Sequence, residues 1–170
     1  MKGFSMDRVL KVMSAVNHHF EKEKNIASKS LLNEMMHTYG AGYLSAAIAS
    51  ARGLNMELAF ITGILHDIGK LKKDTDSGIS HNVEGAKIAK EILTNLNSFT
   101  HDEIEIICQA ICNHPNKKVI DTEYDEVIKD ADVIEKLFIE RKKYKNKRYK
   151  RRRLEKTFGE FGLELYHKEG

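Results

Sequence analysis

Helix breakers and cross-links are scarce in this chain: its 170 residues include one proline, two cysteines and no tryptophan. With so little to interrupt them, long stretches of Leu, Ile, Ala, Glu and Lys run on, all of them good helix formers, and an all-α protein is expected. Cys108 and Cys112 stand at i and i+4 on one predicted helix, a spacing that does not make a disulfide framework. The longest apolar run falls far short of a membrane span, and no N-terminal stretch reads as a signal peptide. The expectation is a cytoplasmic protein in a reducing setting. Neither a repeat nor a low-complexity linker marks a second domain, and the length suffices for one domain with a real core.

The net charge of +3 conceals an uneven distribution. Between Arg141 and Arg153 the sequence RKKYKNKRYKRRR carries ten basic residues and no acid, so the rest of the chain is net acidic. The run reads either as a solvated helix end or as a nucleic-acid contact, since clustered Lys and Arg displace counterions from phosphates. Tyr144 and Tyr149 within it offer rings on which bases stack.

Apolar spacing predicts six or seven helices. The first covers 5–24, with Val9, Val12, Val16 and Phe20 in register. The second runs from Ser30 to Arg52 and closes at Gly53, the third from Met56 to Ile68 with Gly69 as its stop, and the fourth from His81 to Leu96. The fifth spans Thr100 to His114, with Thr100 and Glu103 spaced as a capping box and Pro115 barring continuation. The sixth is expected over 121–143 and the seventh over 153–167.

The most informative feature is the pair His66 and Asp67 inside AFITGILHDIGK. An imidazole and a carboxylate buried at the end of an apolar helix cost several kcal/mol unless each finds a partner, and a divalent cation suits both. Ala59, Gly63 and His66 share one line of that helix, so small residues let a neighbouring helix come close to the histidine. His114 ends the stripe Ile104, Ile107, Ile111, and Asp132 follows Ile128 beside the apolar face of the sixth helix. His37 lies on the line His37, Ala41, Leu44, Ile48, and His81 opens the fourth helix. Each of these residues has an ordinary structural reading alone. Together they are nitrogen and oxygen donors from separate helices, with no cysteine among them, a set that matches Mn, Fe, Co, Ni or Mg better than structural zinc. His18, His19, His101 and His167, in polar or terminal surroundings, are expected at the surface.

In the segments HTYGAGYLSAAIA, AFITGILHDIGK, HNVEGAKIAKEIL, AICNH and IKDADVIEK, the order His37, His66-Asp67, His81, His114, Asp132 resembles the HD-domain superfamily of metal-dependent phosphohydrolases. The resemblance runs over residues 35 to 136. It implies a single-domain HD helical bundle, with 1–140 as the phosphohydrolase domain and 141–170 as a basic helical extension of it. It also implies a metal set of His37, His66, Asp67 and Asp132. His81 and His114 look like the additional histidines of a branch with two metals, where Asp67 would bridge them, so that one or two divalent ions are implied, and Lys70 matches a lysine held near substrate phosphate. The Arg-Val pair usual after the first histidine and the Gly-Tyr-Pro of the cyclic-dinucleotide branch are absent. HNVEGAKIAKEIL and ADVIE look similar to diadenosine-polyphosphate hydrolase relatives, without their Thr-Gly continuation after His114, so the subfamily stays open.

Divalent ions lower the pKa of bound water and offset charge building on phosphorus. The expected activity is therefore hydrolysis of a phosphate ester, a nucleotide or similar small molecule, with Asp67 and Lys70 as its catalytic groups. Asp130 is read as an oxygen partner for a ligating imidazole, and Asn113, Lys117 and Lys118 as groups beside the His114 turn able to touch phosphate or base. The alternative is a regulatory module that senses a nucleotide while Arg141 to Arg153 engages RNA.

Overall fold

The computed structural model of the protein describes residues 4–22, 28–71, 80–139 and 147–164. These residues form seven α-helices and no strand: α1 Met6–Lys22, α2 Ser28–Ala51, α3 Met56–Leu65, α4 His81–Asn95, α5 His101–Asn113, α6 Glu123–Ile139 and α7 Arg148–Glu160, with a 3₁₀ turn at Ile68–Leu71. The all-α expectation is met. Among the described residues no helix is long and apolar enough to cross a membrane.

The middle of the molecule is α3, where every residue from Glu57 to Leu65 is buried. A helix enclosed on all sides needs apolar or small residues round its whole circumference, and MELAFITGIL supplies them. On one flank α1 sets Val9, Val12, Val16 and Phe20 among Leu58, Ile61 and Leu65, together with Leu93 of α4 and Ile107 and Ile111 of α5. On the other, Ile48 and Ala49 of α2 meet Ala59, the α6 residues Val127, Ala131 and Ile134, and Leu154 of α7. The Asn55 side chain caps α3 by accepting from the amides of Glu57 and Leu58. Thr100 and Glu103 form the expected capping box at α5.

Glycines set two of the contacts that fix the site. A Cβ on Gly63 would lie 2.6 Å from Gly42 Cα and 2.8 Å from Ala41 O, so α2 and α3 cross backbone to backbone. The crossing comes one turn after His37 and three residues before His66. Gly69, read from sequence as a helix stop, does something else. The α-helix ends at Leu65, with His66 as its C-cap, and Gly69 sits within the 3₁₀ turn. A Cβ there would overlap the carbonyl oxygen of His81 and come 2.6 Å from the Gly85 amide nitrogen. Gly69 is what allows the start of α4 to press against the His66-Asp67 segment.

The C-terminal reading also changes. α7 begins at Arg148 and not at 153, so the second half of the basic run is helical, and Arg153 within it is buried. Residues 141–146 of that run lie outside the described residues, as does His167. Of the other histidines expected at the surface, His18 and His101 are exposed and His19 is half-buried.

Candidate metal centre

Three elements deliver four side chains to one point. His37 comes from α2, His66 and Asp67 from the end of α3, and Asp132 from α6; all four are buried. One donor atom from each lies within 4.8 Å of every other. His37 Nε2 is 3.1 Å from His66 Nε2 and 3.0 Å from Asp67 Oδ2, and His66 Nε2 is 3.1 Å from the same oxygen. Asp132 Oδ1 stands 3.4 Å from His37 Nε2 and 3.7 Å from His66 Nε2.

A second group adjoins the first through Asp67. His114 Nε2 is 3.2 Å and His81 Nε2 3.9 Å from Asp67 Oδ1. Asp67 thus turns one oxygen to each group. His114 is buried, whereas His81, the first residue of α4, keeps 42% of its side chain exposed. With Lys70, 32% exposed, it marks the side on which the centre meets solvent.

The imidazoles are aimed from behind. His66 Nδ1 donates to the carbonyl of Gly63 and His114 Nδ1 to that of Ile111, each over 2.7 Å, which leaves both Nε2 lone pairs facing the cluster. His37 Nδ1 is held by the Glu135 carboxylate, so its Nε2 also points inward. Glu135 therefore takes the role that sequence reasoning gave to Asp130. The signal was present: Glu135 is three residues after Asp132 on α6, on the same side of the helix.

Asp130 is corrected accordingly. It lies on another side of α6, accepting 2.6 Å hydrogen bonds from Arg52 Nη2 and from Arg153 Nη1. It touches none of the clustered histidines.

The electrostatics of the cluster call for a cation. Two inward lone pairs 3.1 Å apart, beside two carboxylates, repel unless positive charge stands between them. Asp67 Oδ1 and both oxygens of Asp132 are buried without a hydrogen bond. Three lysines crowd the acids instead: Lys70 on Asp67 Oδ2, Lys117 on Asp132 Oδ2, and Lys136 at 2.5 Å from Asp132 Oδ1. Burial works to lower the His66 pKa, but Asp67 and Asp132 outweigh it and raise it to about 9. His114 is pushed down to about 4, burial outweighing the opposing pull of Asp67. Burial opposes ionisation of Asp67, yet the surrounding imidazoles hold its carboxyl well below the usual range.

A proton or a metal ion answers the same need, and the donor chemistry suits the metal. The three closest donor separations, 3.0 to 3.1 Å, match the edge of an octahedron with bonds of about 2.1 Å, roughly 3.0 Å. The residues present fit a divalent ion.

Lys117, read from sequence as able to touch phosphate or base, lies against the acids of the centre. Its ammonium reaches Asp132, donates to the His114 carbonyl over 2.8 Å, and has its pKa lowered by burial. Lys118 is exposed, its ammonium 5.8 Å from the centre of the Tyr149 ring. Asn113 is half-buried at the end of α5. Lys136 and Glu135 were not singled out from sequence.

A helical bundle closed round a buried imidazole and carboxylate cluster defines a class, the all-helical protein with a donor set for divalent metal. The HD domain family model matches residues 35–137, and the chain belongs to that family. The match runs from α2 into α6 and takes in all six donors.

Known proteins agree. An uncharacterized protein of Clostridium beijerinckii is 34% identical over 102 residues, 60% of this chain and 62% of that one. Ribonuclease Y of Mycoplasma mycoides subsp. mycoides SC is 37% identical over 102 residues, 60% of this chain and 18% of the enzyme. The chain thus spans under two thirds of the first relative and under one fifth of the second. The crystal structure of a predicted HD superfamily hydrolase from an uncultured Thermotogales bacterium superposes with a TM-score of 0.66, covering 89% of this chain and 86% of that one. At 19% identity that likeness speaks for the fold.

Proposed function

We propose that the protein is a metal-dependent phosphohydrolase that cleaves a phosphate ester of nucleotide type. The observation that carries the reading is Asp67, whose two oxygens each face a separate group of imidazoles. His37, His66, Asp67 and Asp132 would hold one divalent ion, and Asp67, His81 and His114 a second. Bound there, such ions supply a water acidified for attack and positive charge to meet that developing on the phosphoryl oxygens.

The rest falls to the chain itself. The carbonyls of Gly63 and Ile111 and the carboxylate of Glu135 keep three imidazoles in the tautomer that presents Nε2, so no reorientation is needed when substrate arrives. Burial of Asp67 and Asp132 lowers the local dielectric and strengthens every charge interaction within the centre. Lys70, at the open side, is free to leave Asp67 for a non-bridging phosphate oxygen. The name of the ribonuclease Y relatives supports a nucleotide-type ester.

The test is phosphate or nucleotide release from a panel of nucleotides and simple phosphate esters, with Mn, Fe, Co, Ni and Mg added in turn to stripped protein. At least one pair should turn over, and His66→Ala should not. Full activity after metal removal would refute the reading.

A further inference from the structure

The 114–121 segment joins the metal centre to α7. Lys117, within it, reaches Asp132 at the centre. The same stretch is clamped from outside: Arg153 of α7 donates from Nε to the Lys117 carbonyl over 2.8 Å and from Nη2 to that of Val119 over 3.3 Å. Fully buried Lys129 adds a 3.1 Å bond to the Val119 carbonyl and an ion pair with Asp121. Arg153 is anchored in turn by Glu126 at 2.9 Å and Asp130 at 2.6 Å. The first half of α7 is thereby fixed against the segment that carries Lys117 into the site.

That half of α7 is basic on its outer side. Lys147, Arg148 and Arg152 are exposed, the half-buried Tyr149 ring lies beside Lys118, and the acids of the helix, Glu155 and Glu160, fall only in its second half. Arg148 and Arg152 at i and i+4 repel each other and do nothing for the helix. Exposed cations, an aromatic ring and a rigid link to a phosphate-handling centre are the elements of a single-strand binding surface. An anionic membrane fits less well, because α7 turns Leu154 inside the protein and the outer side of its first half carries cations and no aliphatic side chain for lipid.

Building on the phosphohydrolase reading, we infer that Lys118, Tyr149, Arg148 and Arg152 form a track for a single-stranded nucleic acid, whose terminal or internal phosphate the metal centre receives. The substrate class narrows from nucleotides in general to nucleotides within a strand.

The full chain is tested against its double variants Arg148→Glu/Arg152→Glu and Arg148→Gln/Arg152→Gln, the second guarding against misfolding from charge reversal. Binding of a fluorescent single-stranded oligonucleotide is followed by anisotropy across a salt series, beside hydrolysis of the same oligonucleotide and of bis(p-nitrophenyl) phosphate. Loss of two phosphate contacts should weaken binding about tenfold at low salt and flatten the log–log salt slope by about 1.4. The small ester should be turned over unchanged. Oligonucleotide binding that is equal in all three proteins overturns the track, as does equal loss on both substrates. So does binding to anionic phosphatidylserine vesicles that the oligonucleotide fails to displace. Binding that depends on α7 without hydrolysis of any ester upholds the track and refutes the phosphohydrolase reading.

Discussion

Asp130 and Asp132 stand two residues apart on α6, both completely buried, and serve opposite ends. Asp130 is saturated. Each of its oxygens accepts a guanidinium hydrogen bond, from Arg52 or Arg153, and both arginines are pinned by further partners, Glu160 and Glu126. Asp132 makes no hydrogen bond with either oxygen and faces two imidazoles and two lysine ammoniums. One carboxylate is a closed structural joint tying α2, α6 and α7 together. The other meets only cationic or imidazole groups, the surroundings a divalent ion would share. Burial alone cannot tell these roles apart; the completeness of the partner shell does.

The sharpest way to break the comparison is to remove one charge at a time. Asp132→Asn should lower phosphohydrolase activity by about a thousandfold, the order that loss of a key electrostatic group costs, with bound metal falling alongside in elemental analysis. Stability should change less, because Lys136 is 29% exposed and can retreat to solvent while Lys117 keeps its bond to the His114 carbonyl. Asp130→Asn should do the reverse. The buried Arg153 and half-buried Arg52 guanidiniums lose their shared acceptor charge, a cost of about 3 kcal/mol by the usual range for broken buried pairs, read as a fall in the urea midpoint, while metal content holds. If both variants lose metal equally, the division between joint and open ligand is wrong.

Next in size is the glycine that lets the second imidazole group assemble. Gly69→Ala places a methyl against the His81 carbonyl and Gly85 backbone, where only backbone movement relieves the clash. It should cost about 2 kcal/mol by overpacking and should carry His81 away from Asp67. The expected result is a drop from two metal equivalents to one in a titration. An unchanged stoichiometry would mean that His81 and Gly69 do not shape that group.

A smaller effect separates holding a metal from aiming its ligand. Glu135→Gln keeps a hydrogen-bond acceptor for His37 Nδ1 but removes its charge. Metal affinity should fall by about tenfold to a hundredfold, as for other partners behind ligating histidines, with kcat recovering once metal is in excess. Glu135→Asp, too short to reach, should recover less.

These contrasts also explain what the sequence made legible. The helices, the capping box at Thr100 and the inward imidazoles followed from apolar spacing, because each stripe must face the core and takes its polar neighbour with it. Arg153 was hidden, since one arginine in a run of ten cations looks like all the others until the acids that neutralise it come from another helix. Glu135 was legible beside Asp130 only through its place on the helix. On an acid-rich helix the angular position decides which carboxylate sees a histidine, and Asp130, five residues before Glu135, stands about 140° round the helix from it. Gly69 read as a terminator because a single sequence does not show that a second backbone must pass through the space of its missing side chain.

The smallest prediction concerns protons and sharpens the idea that Asp132 waits for positive charge. In metal-free protein His66 is raised from 6.5 to about 9 by Asp67 and Asp132, against the opposing effect of burial. Its folded-state pKa exceeds its unfolded value, so the stabilisation it gives is fully present below about pH 6.5 and is lost as pH rises through about 9. Metal-free protein should therefore lose stability across that window. An arriving ion must displace the same proton, so apparent metal affinity should rise by up to about tenfold per pH unit until about pH 9. Calorimetry in two buffers of different protonation enthalpy should record about one proton released per ion near pH 7, and Asp132→Asn should reduce it. Metal binding without proton release would show that the imidazole is already neutral and that the carboxylates alone carry the demand for charge.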